Sequence, residues 1–304
     1  MARTQPSRFT LVGAGAVASS VGLALVRQDW RAVGVFGRTP TSARATALRV
    51  EFGTDATELD AACEASDLVL IAVPDRQIAQ AALDLVLTEV DWTKKTVVHT
   101  SGAYAADVLS ALRGAGARTA SMHPLQSFPG PAQPDALKGA FVTVEGNTQA
   151  VNLMRKVFET AGSRVVAVSA ADKVAIHAAA SVISNFTVTV ASIAREILQT
   201  TRLGEQEVVG MLQPLLEGTV ANIRERGPDL ALSGPVARGD SDTVARHVQM
   251  LSDRAPHLIT AYVAIVTETV RIARRTARLS SADAMEILDR AIEALPVPPA
   301  NGHD

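Results

Sequence analysis

Phe9-Thr10-Leu11-Val12-Gly13-Ala14-Gly15-Ala16-Val17-Ala18 decides how this 304-residue chain is read. Four strand-forming residues run into a Gly-x-Gly-x-x-Ala turn, and from Ala16 to Gln28 the composition is that of a helix. Gly13 permits the tight turn, Gly15 leaves the backbone open to close approach, and Ala18 and Gly22 let the helix pack near the sheet. The first N–H groups of such a helix are free, and its positive dipole end faces the turn, which suits a pyrophosphate. Gly13, Gly15, Ala16 and Val17 are therefore the expected cradle of a dinucleotide.

Outward from this turn, strands and helices alternate. Arg31–Phe36 reads as a strand and 41–52 as a helix. Asp67–Val73 is a continuous apolar run ended by Pro74, the pattern of a strand buried on both faces of a parallel sheet. A helix over 77–86, a strand over 96–99 and a helix over 105–114 follow. Ala120 to Phe128 leads into a Pro- and Gly-rich loop at 129–134. Phe141–Val144 and Arg164–Val168 read as strands around a helix at 149–161. After Ser169 the strand signal stops, and long helices are predicted at 172–200, 205–226, 241–253, 257–278 and 282–294. The tail from Pro296 is expected to fray. The expected fold is α/β then all-α: a doubly wound parallel sheet over residues 1–167, and a helical domain for substrate and dimerisation over 168–304.

The end of the second strand selects between cofactors. An acid there would bind the 2′-hydroxyl of NAD. The chain has Phe36-Gly37-Arg38-Thr39 instead. The planar fork of Arg38 suits a 2′-phosphate, with Thr39 and Ser42 as further donors, so NADP is favoured over NAD. Val73 and Pro74, where the third strand stops, are expected on the nicotinamide side.

Composition narrows the function classes. A net charge of −2 offers no basic excess for nucleic acid or an anionic membrane. The dense basic run Arg271–Arg278 falls on a predicted helix and reads as a solvated face. One cysteine, Cys63, excludes an internal disulfide and suits the reducing cytoplasm. The apolar run from Phe9 to Val26 imitates a secretory signal, but Gly13 and Gly15 interrupt it. No other stretch is expected to reach the roughly 20 uninterrupted apolar residues of a membrane span. His99, His123 and His177 lack metal-ligand spacing, and no metal is expected.

Chemistry is expected on the helix that opens the second domain. It is rich in Ala, Val and Ile, so it should be buried on most sides. Yet Lys173, His177, Ser181 and Ser184 fall in one narrow stripe at about 100° per residue, with Asn185 at its edge. Burial drives a lysine pKa down, and a lysine so shifted is a competent general acid for a carbonyl under reduction.

A Gly-rich turn followed by Lys-x-x-x-polar on the first long helix of an all-α domain resembles the 6-phosphogluconate dehydrogenase-like superfamily. That group includes β-hydroxyacid dehydrogenases, ketopantoate reductases and pyrroline-5-carboxylate reductases. In its hydroxyacid and ketopantoate members the helix carries Lys-x-x-x-Asn with the Lys as acid/base. Lys173 matches that Lys, while His177 stands where the Asn would be. Three further segments look like a branch of Rossmann-like proteins with a C-terminal domain of unknown function: His99-Thr100-Ser101-Gly102-Ala103, Ser121–Phe128, and Leu232–Asp240. Some members of that branch look like ketopantoate reductases of pantothenate biosynthesis.

The expected function is thus an NADPH-dependent reductase of a small 2-oxo acid, ketopantoate first. Lys173 would protonate the nascent alkoxide, and His177 and Ser101 would orient the carbonyl. Arg238, on a loop able to close over the substrate, would hold the carboxylate. His123, Ser184 and Asn185 complete the substrate contacts. The alternatives are an imine reductase of the pyrroline-5-carboxylate reductase type and a non-catalytic NADP sensor. Apolar helices such as 256–277 predict a homodimer through the helical domain.

Overall fold

The structure is a computed structural model that describes residues 7–39, 43–54, 58–128, 130, 133–293 and 295. Most of the Pro/Gly loop and the expected frayed tail, together with Ser42, lie outside the described residues. Secondary structure changes character after Ala167, whereas the compact units are 1–184 and 185–304.

The first unit is built on a seven-stranded sheet ordered β2-β1-β3-β4-β5-β6-β7. The strands are β1 (Arg8–Val12), β2 (Arg31–Phe36), β3 (Leu68–Ile71), β4 (Thr96–His99), β5 (Arg118–Leu125), β6 (Phe141–Gly146) and β7 (Arg164–Ala167). Side chains alternate along each strand, and β3 shows both faces buried. Leu68 and Leu70 join the core formed with Val21 and Leu25 of α1 (Ala16–Val26) and with Met154 and Phe158 of α6 (Thr148–Thr160). Val69 and Ile71 join the opposite core, with Cys63 of α3 (Leu59–Ala65), Leu85 of α4 (Ile78–Val86) and Leu112 of α5 (Ser110–Gly114). The remaining helix before α3 is α2 (Ala43–Glu51).

The sheet is not wholly parallel: β6 runs antiparallel to β5, and β7 is parallel to β6. Among the described residues the link from β5 to β6 contains a short turn, Pro134–Leu137, and no crossover helix of the kind a parallel neighbour requires. Helix α3 has no counterpart in the sequence reading, because its seven residues are too few to show a periodicity. His123 and Pro124 lie inside β5. Pairing with β4 stops at Ser121, so β5 has a free edge at Pro124 and tolerates the missing donor.

The register places the site. Phe36, Val12, Ile71, His99, Ser121 and Glu145 are successive partners across six strands. Each of the first four is the last residue of its strand. The Gly13 turn, the Arg38 segment, the Ala72–Pro74 segment and the Ser101 loop therefore all leave the sheet along one edge, where ligands of open α/β sheets bind. Helix α7 (Ala170–Ile183) completes this unit and carries Lys173 and His177.

The second unit is helical: α8 (Asn185–Gln199), α9 (Glu205–Arg226), α10 (Pro228–Ala231), α11 (Ser241–Arg254), α12 (Ile259–Arg275) and α13 (Ser281–Ile292). Its core lies among α11, α12 and α13, with Val244, Leu251, Val263, Val270 and Ile287 buried. In contrast, α8 buries no residue and α9 only Val208. The stretch 170–199 is long and apolar enough to cross a membrane by length and composition. It is not an uninterrupted apolar run: the pairs Asp172-Lys173, Ser184-Asn185 and Arg195-Glu196 break it.

Candidate functional site

The glycine turn has two glycines with opposite reasons. Gly13 has φ +120° and donates from its N–H to the Phe36 carbonyl at 2.7 Å. A Cβ on Gly13 would stand 2.2 Å from the Ala72 carbonyl oxygen, so this glycine lets the turn lie against the end of β3. That contact joins two segments singled out for the cofactor, because Val73 and Pro74 follow directly. Gly15 caps α1, and a Cβ there would meet nothing within 4 Å. The space over Gly15 is open, and among the described residues no side-chain cap is made to the first N–H groups of α1. Ala16 and Val17 begin that helix, half-buried. Arg38 and Thr39 are exposed beyond β2. The turn thus keeps what a pyrophosphate needs: free backbone donors and a cleared approach.

A polar cluster occupies the same edge of the sheet. Lys173 is 1% exposed, and its Nζ donates to the Ser101 carbonyl oxygen at 3.1 Å. Burial pushes its pKa down, while Glu145 and Asp75 pull the other way. An amine so placed holds its proton less tightly than a surface lysine does, which is the property of a proton donor.

Ser101 organises the loop after β4. Its Oγ accepts from the N–H groups of Ala103 (3.1 Å) and Tyr104 (3.0 Å). Both lone pairs are thereby used, and only the hydroxyl proton is left for a substrate oxygen. His99 fixes the same loop. Its Nδ1 accepts from Ser101 N–H at 3.2 Å, so its Nε2 carries the hydrogen given to the Ala105 carbonyl at 3.0 Å. Desolvation lowers the His99 pKa to about 4, and the ring is neutral. The sequence reading singled out His99 within the His99–Ala103 segment and did not expect it to bind a metal; its hydrogen bonds make it the brace of the Ser101 loop. Among the described residues no group of three or more His, Cys, Asp or Glu gathers as a metal site would.

His123 Nδ1 lies 3.3 Å from the Thr100 carbonyl, which can only accept, so the hydrogen sits on Nδ1 and the Nε2 lone pair is left over. Burial lowers its pKa, as do the nearby His177 and Lys173. His177, one turn beyond Lys173 on α7, has a buried Nδ1 without a hydrogen-bond partner among the described residues. The His123 and His177 rings stand 5.3 Å apart and nearly perpendicular, at 79°.

The first unit therefore brings together Lys173, His177, Ser101 and His123, and adds Glu145, Asp75 and His99. Glu145 escaped the sequence reading because the strand was ended one residue early; an acid closing an apolar strand was the available signal. Ser184 is the exposed C-cap of α7. Asn185 and Arg238 belong to the second unit, where Asn185 is exposed at the start of α8. In the Leu232–Asp240 segment, read as a loop able to close over the substrate, Arg278 holds the Leu232 carbonyl and Asp240 caps α11 by accepting from Thr243 N–H at 3.0 Å. These bonds anchor both of its ends.

Residues 2–124 match the model of a Rossmann-like domain, and residues 140–269 match that of a Domain of unknown function (DUF2520). No curated protein matches the chain. Among solved structures, a Bacteroides fragilis protein provisionally named an NADP oxidoreductase is similar at 24% identity and TM-score 0.74, over 88% of this chain and 99% of that one. A Thermotoga maritima protein is similar at 24% identity and TM-score 0.67, over the same shares. An imine reductase from Myxococcus stipitatus in complex with NADP+ is similar at 15% identity and TM-score 0.64, over 94% of this chain and 100% of that one. At these identities the likeness is one of fold: a Rossmann sheet followed by an all-α domain.

Proposed function

We propose that this chain is an NADP-dependent oxidoreductase that reduces a small 2-oxo acid, with 2-dehydropantoate (ketopantoate) as the first candidate, yielding pantoate for pantothenate biosynthesis. The observation that carries the reading is the desolvated Lys173 amine on the same sheet edge as a glycine turn open at Gly15. Gly13, Gly15, Ala16 and Val17 would hold the pyrophosphate through backbone N–H groups, Arg38 and Thr39 the 2′-phosphate, and Val73 and Pro74 the nicotinamide side. The nucleotide supplies the hydride. Lys173 gives a proton to the substrate oxygen as charge develops there. The Ser101 hydroxyl and His177 orient that oxygen, and Arg238 holds the substrate carboxylate. The bound NADP+ of a structural relative accords with this cofactor. The test is to incubate the folded protein with NADPH and ketopantoate: absorbance at 340 nm falls if the reading holds, and a panel of 2-oxo acids left unreduced would reject it.

Imine reduction is the second reading. Asp75 and Glu145 stand near enough to Lys173 to influence its ionisation, and a cationic iminium would be favoured by such acids and would need no proton donor. Retained activity on a cyclic imine after Lys173→Met would select it.

We also propose a cytoplasmic homodimer joined through the helical domain. Phe186 and Val188 of α8 and Leu215 and Val220 of α9 are 56%, 71%, 68% and 55% exposed. Between these helices an apolar groove of about 500 Å³ is lined by Ala194, Ile197, Leu198, Met211, Leu212 and Leu215. A second copy covers such a surface without unpaired charge. Sedimentation at micromolar concentration should give twice the monomer mass; a monomer would contradict the assembly.

A further inference from the structure

A buried lysine that gives up a proton must get it back. This inference rests on the role just given to Lys173. The ammonium is almost closed to solvent, and its hydrogen bond goes to the Ser101 carbonyl, which has no proton to return.

The neighbours differ in what they can carry. Both His99 nitrogens are committed, one to Ser101 N–H and one to the Ala105 carbonyl. Glu145 accepts from Ala106 N–H at 2.8 Å. His123 keeps an uncommitted lone pair on Nε2, because Nδ1 is bound to the Thr100 carbonyl. His177 is half-exposed as a residue, while its Nδ1 is buried and unpartnered among the described residues. These two nitrogens border the α-carbon of Gly102. A Cβ there would lie 2.3 Å from His177 Nδ1 and 2.8 Å from His123 Nε2. The missing side chain is what lets the two rings approach.

We propose that His123 is the proton shuttle of this site, taking a proton at Nε2 from His177 and returning it to the Lys173 amine. A proton from bulk solvent adds at Nε2 of His177 while the Nδ1–H of that ring passes to His123 Nε2, and the His123 imidazolium then gives the proton to Lys173 Nζ. A half-turn of the His177 ring restores its starting tautomer for the next turnover. Each turnover moves one proton inward, replaces the one given to the substrate, and leaves both rings neutral. The titratable groups that act on His123 are His177 and Lys173 from α7 and Asp75 from the turn after β3. Burial first, and then the first two groups, favour the neutral ring, so a proton it receives is readily passed on.

Two arms test this. In the protein without nucleotide, ring-nitrogen NMR follows His123 and His177 through pH. His177→Asn should raise the His123 midpoint, because a ring able to take up a proton no longer stands beside it; an unchanged midpoint overturns the shuttle whatever the substrate proves to be. In turnover, His123→Ala should lower steady-state kcat by about 10²-fold. Added imidazoles should restore it, with rescue rates that follow the acidity of the buffer. Rescue independent of acidity, or no rescue in a folded variant, overturns it. Absence of turnover in the unaltered protein rejects the reductase reading alone, and the NMR arm still decides the histidine pair.

Discussion

The Lys173 ammonium donates a 3.1 Å hydrogen bond to the carbonyl oxygen of Ser101, 72 residues earlier in the chain. One contact thereby fastens α7 to the loop after β4. It also sets a titratable amine on the edge of the sheet from which the Gly13 turn departs. A desolvated charge with a single backbone acceptor contributes little to stability, so its placement calls for a functional reason.

Replacing Lys173 by Met separates the two roles. The apolar stem is kept and the buried charge is lost, so Tm should stay level or rise. Turnover of the 2-oxo acid should fall by about 10²–10⁴-fold. Differential scanning fluorimetry and 340 nm kinetics on one preparation check both.

The two glycines of the turn predict opposite failures. Gly13→Ala forces a Cβ into the Ala72 carbonyl at φ +120° and should destabilise the fold by about 1–3 kcal/mol or more. Gly15→Ala meets no protein atom and should leave stability within about 0.5 kcal/mol. It should nonetheless weaken NADP binding by about tenfold or more, since it occupies the approach to the pyrophosphate. Denaturant melts and calorimetric titration distinguish the two.

Arg38→Ala should reduce kcat/KM for NADPH by about 10–100-fold, a loss of about 1.4–3 kcal/mol of charge-assisted bonding. The value for NADH should change little. Equal losses with both nucleotides would place Arg38 away from the 2′-phosphate.

His99 gives the pH dependence. Its folded pKa is about 4, against an unfolded value of 6.5. Between these values the unfolded chain binds more protons than the folded one, so stability falls as the medium is acidified from 6.5 toward 4. The loss from this residue approaches about 3 kcal/mol below pH 4. His123 shifts in the same direction. His99→Gln should flatten the acid limb of Tm against pH.

Much of this architecture was legible because apolar runs and glycine spacing act locally. Leu68–Ile71 announces a doubly buried strand, and Gly13 to Gly15 announces the turn. The stripe on α7 was legible in part: the helical pitch aligns Lys173 with His177, but Ser184 ends the helix and is exposed. What sequence could not give was register. That His99, Ser121 and Glu145 are successive partners depends on inter-strand pairing. The antiparallel turn of β6, which brings Glu145 back to Ser121, has no signal along the chain. The meeting of His123 and His177 over Gly102 likewise depends on tertiary placement.

The most direct measurement is a crystal structure with NADP+ bound. The account predicts the pyrophosphate over Gly15, the 2′-phosphate on Arg38, and the nicotinamide ring on the sheet edge facing the Lys173 amine. A ring directed away from Lys173, or a turn that binds no nucleotide, would contradict it.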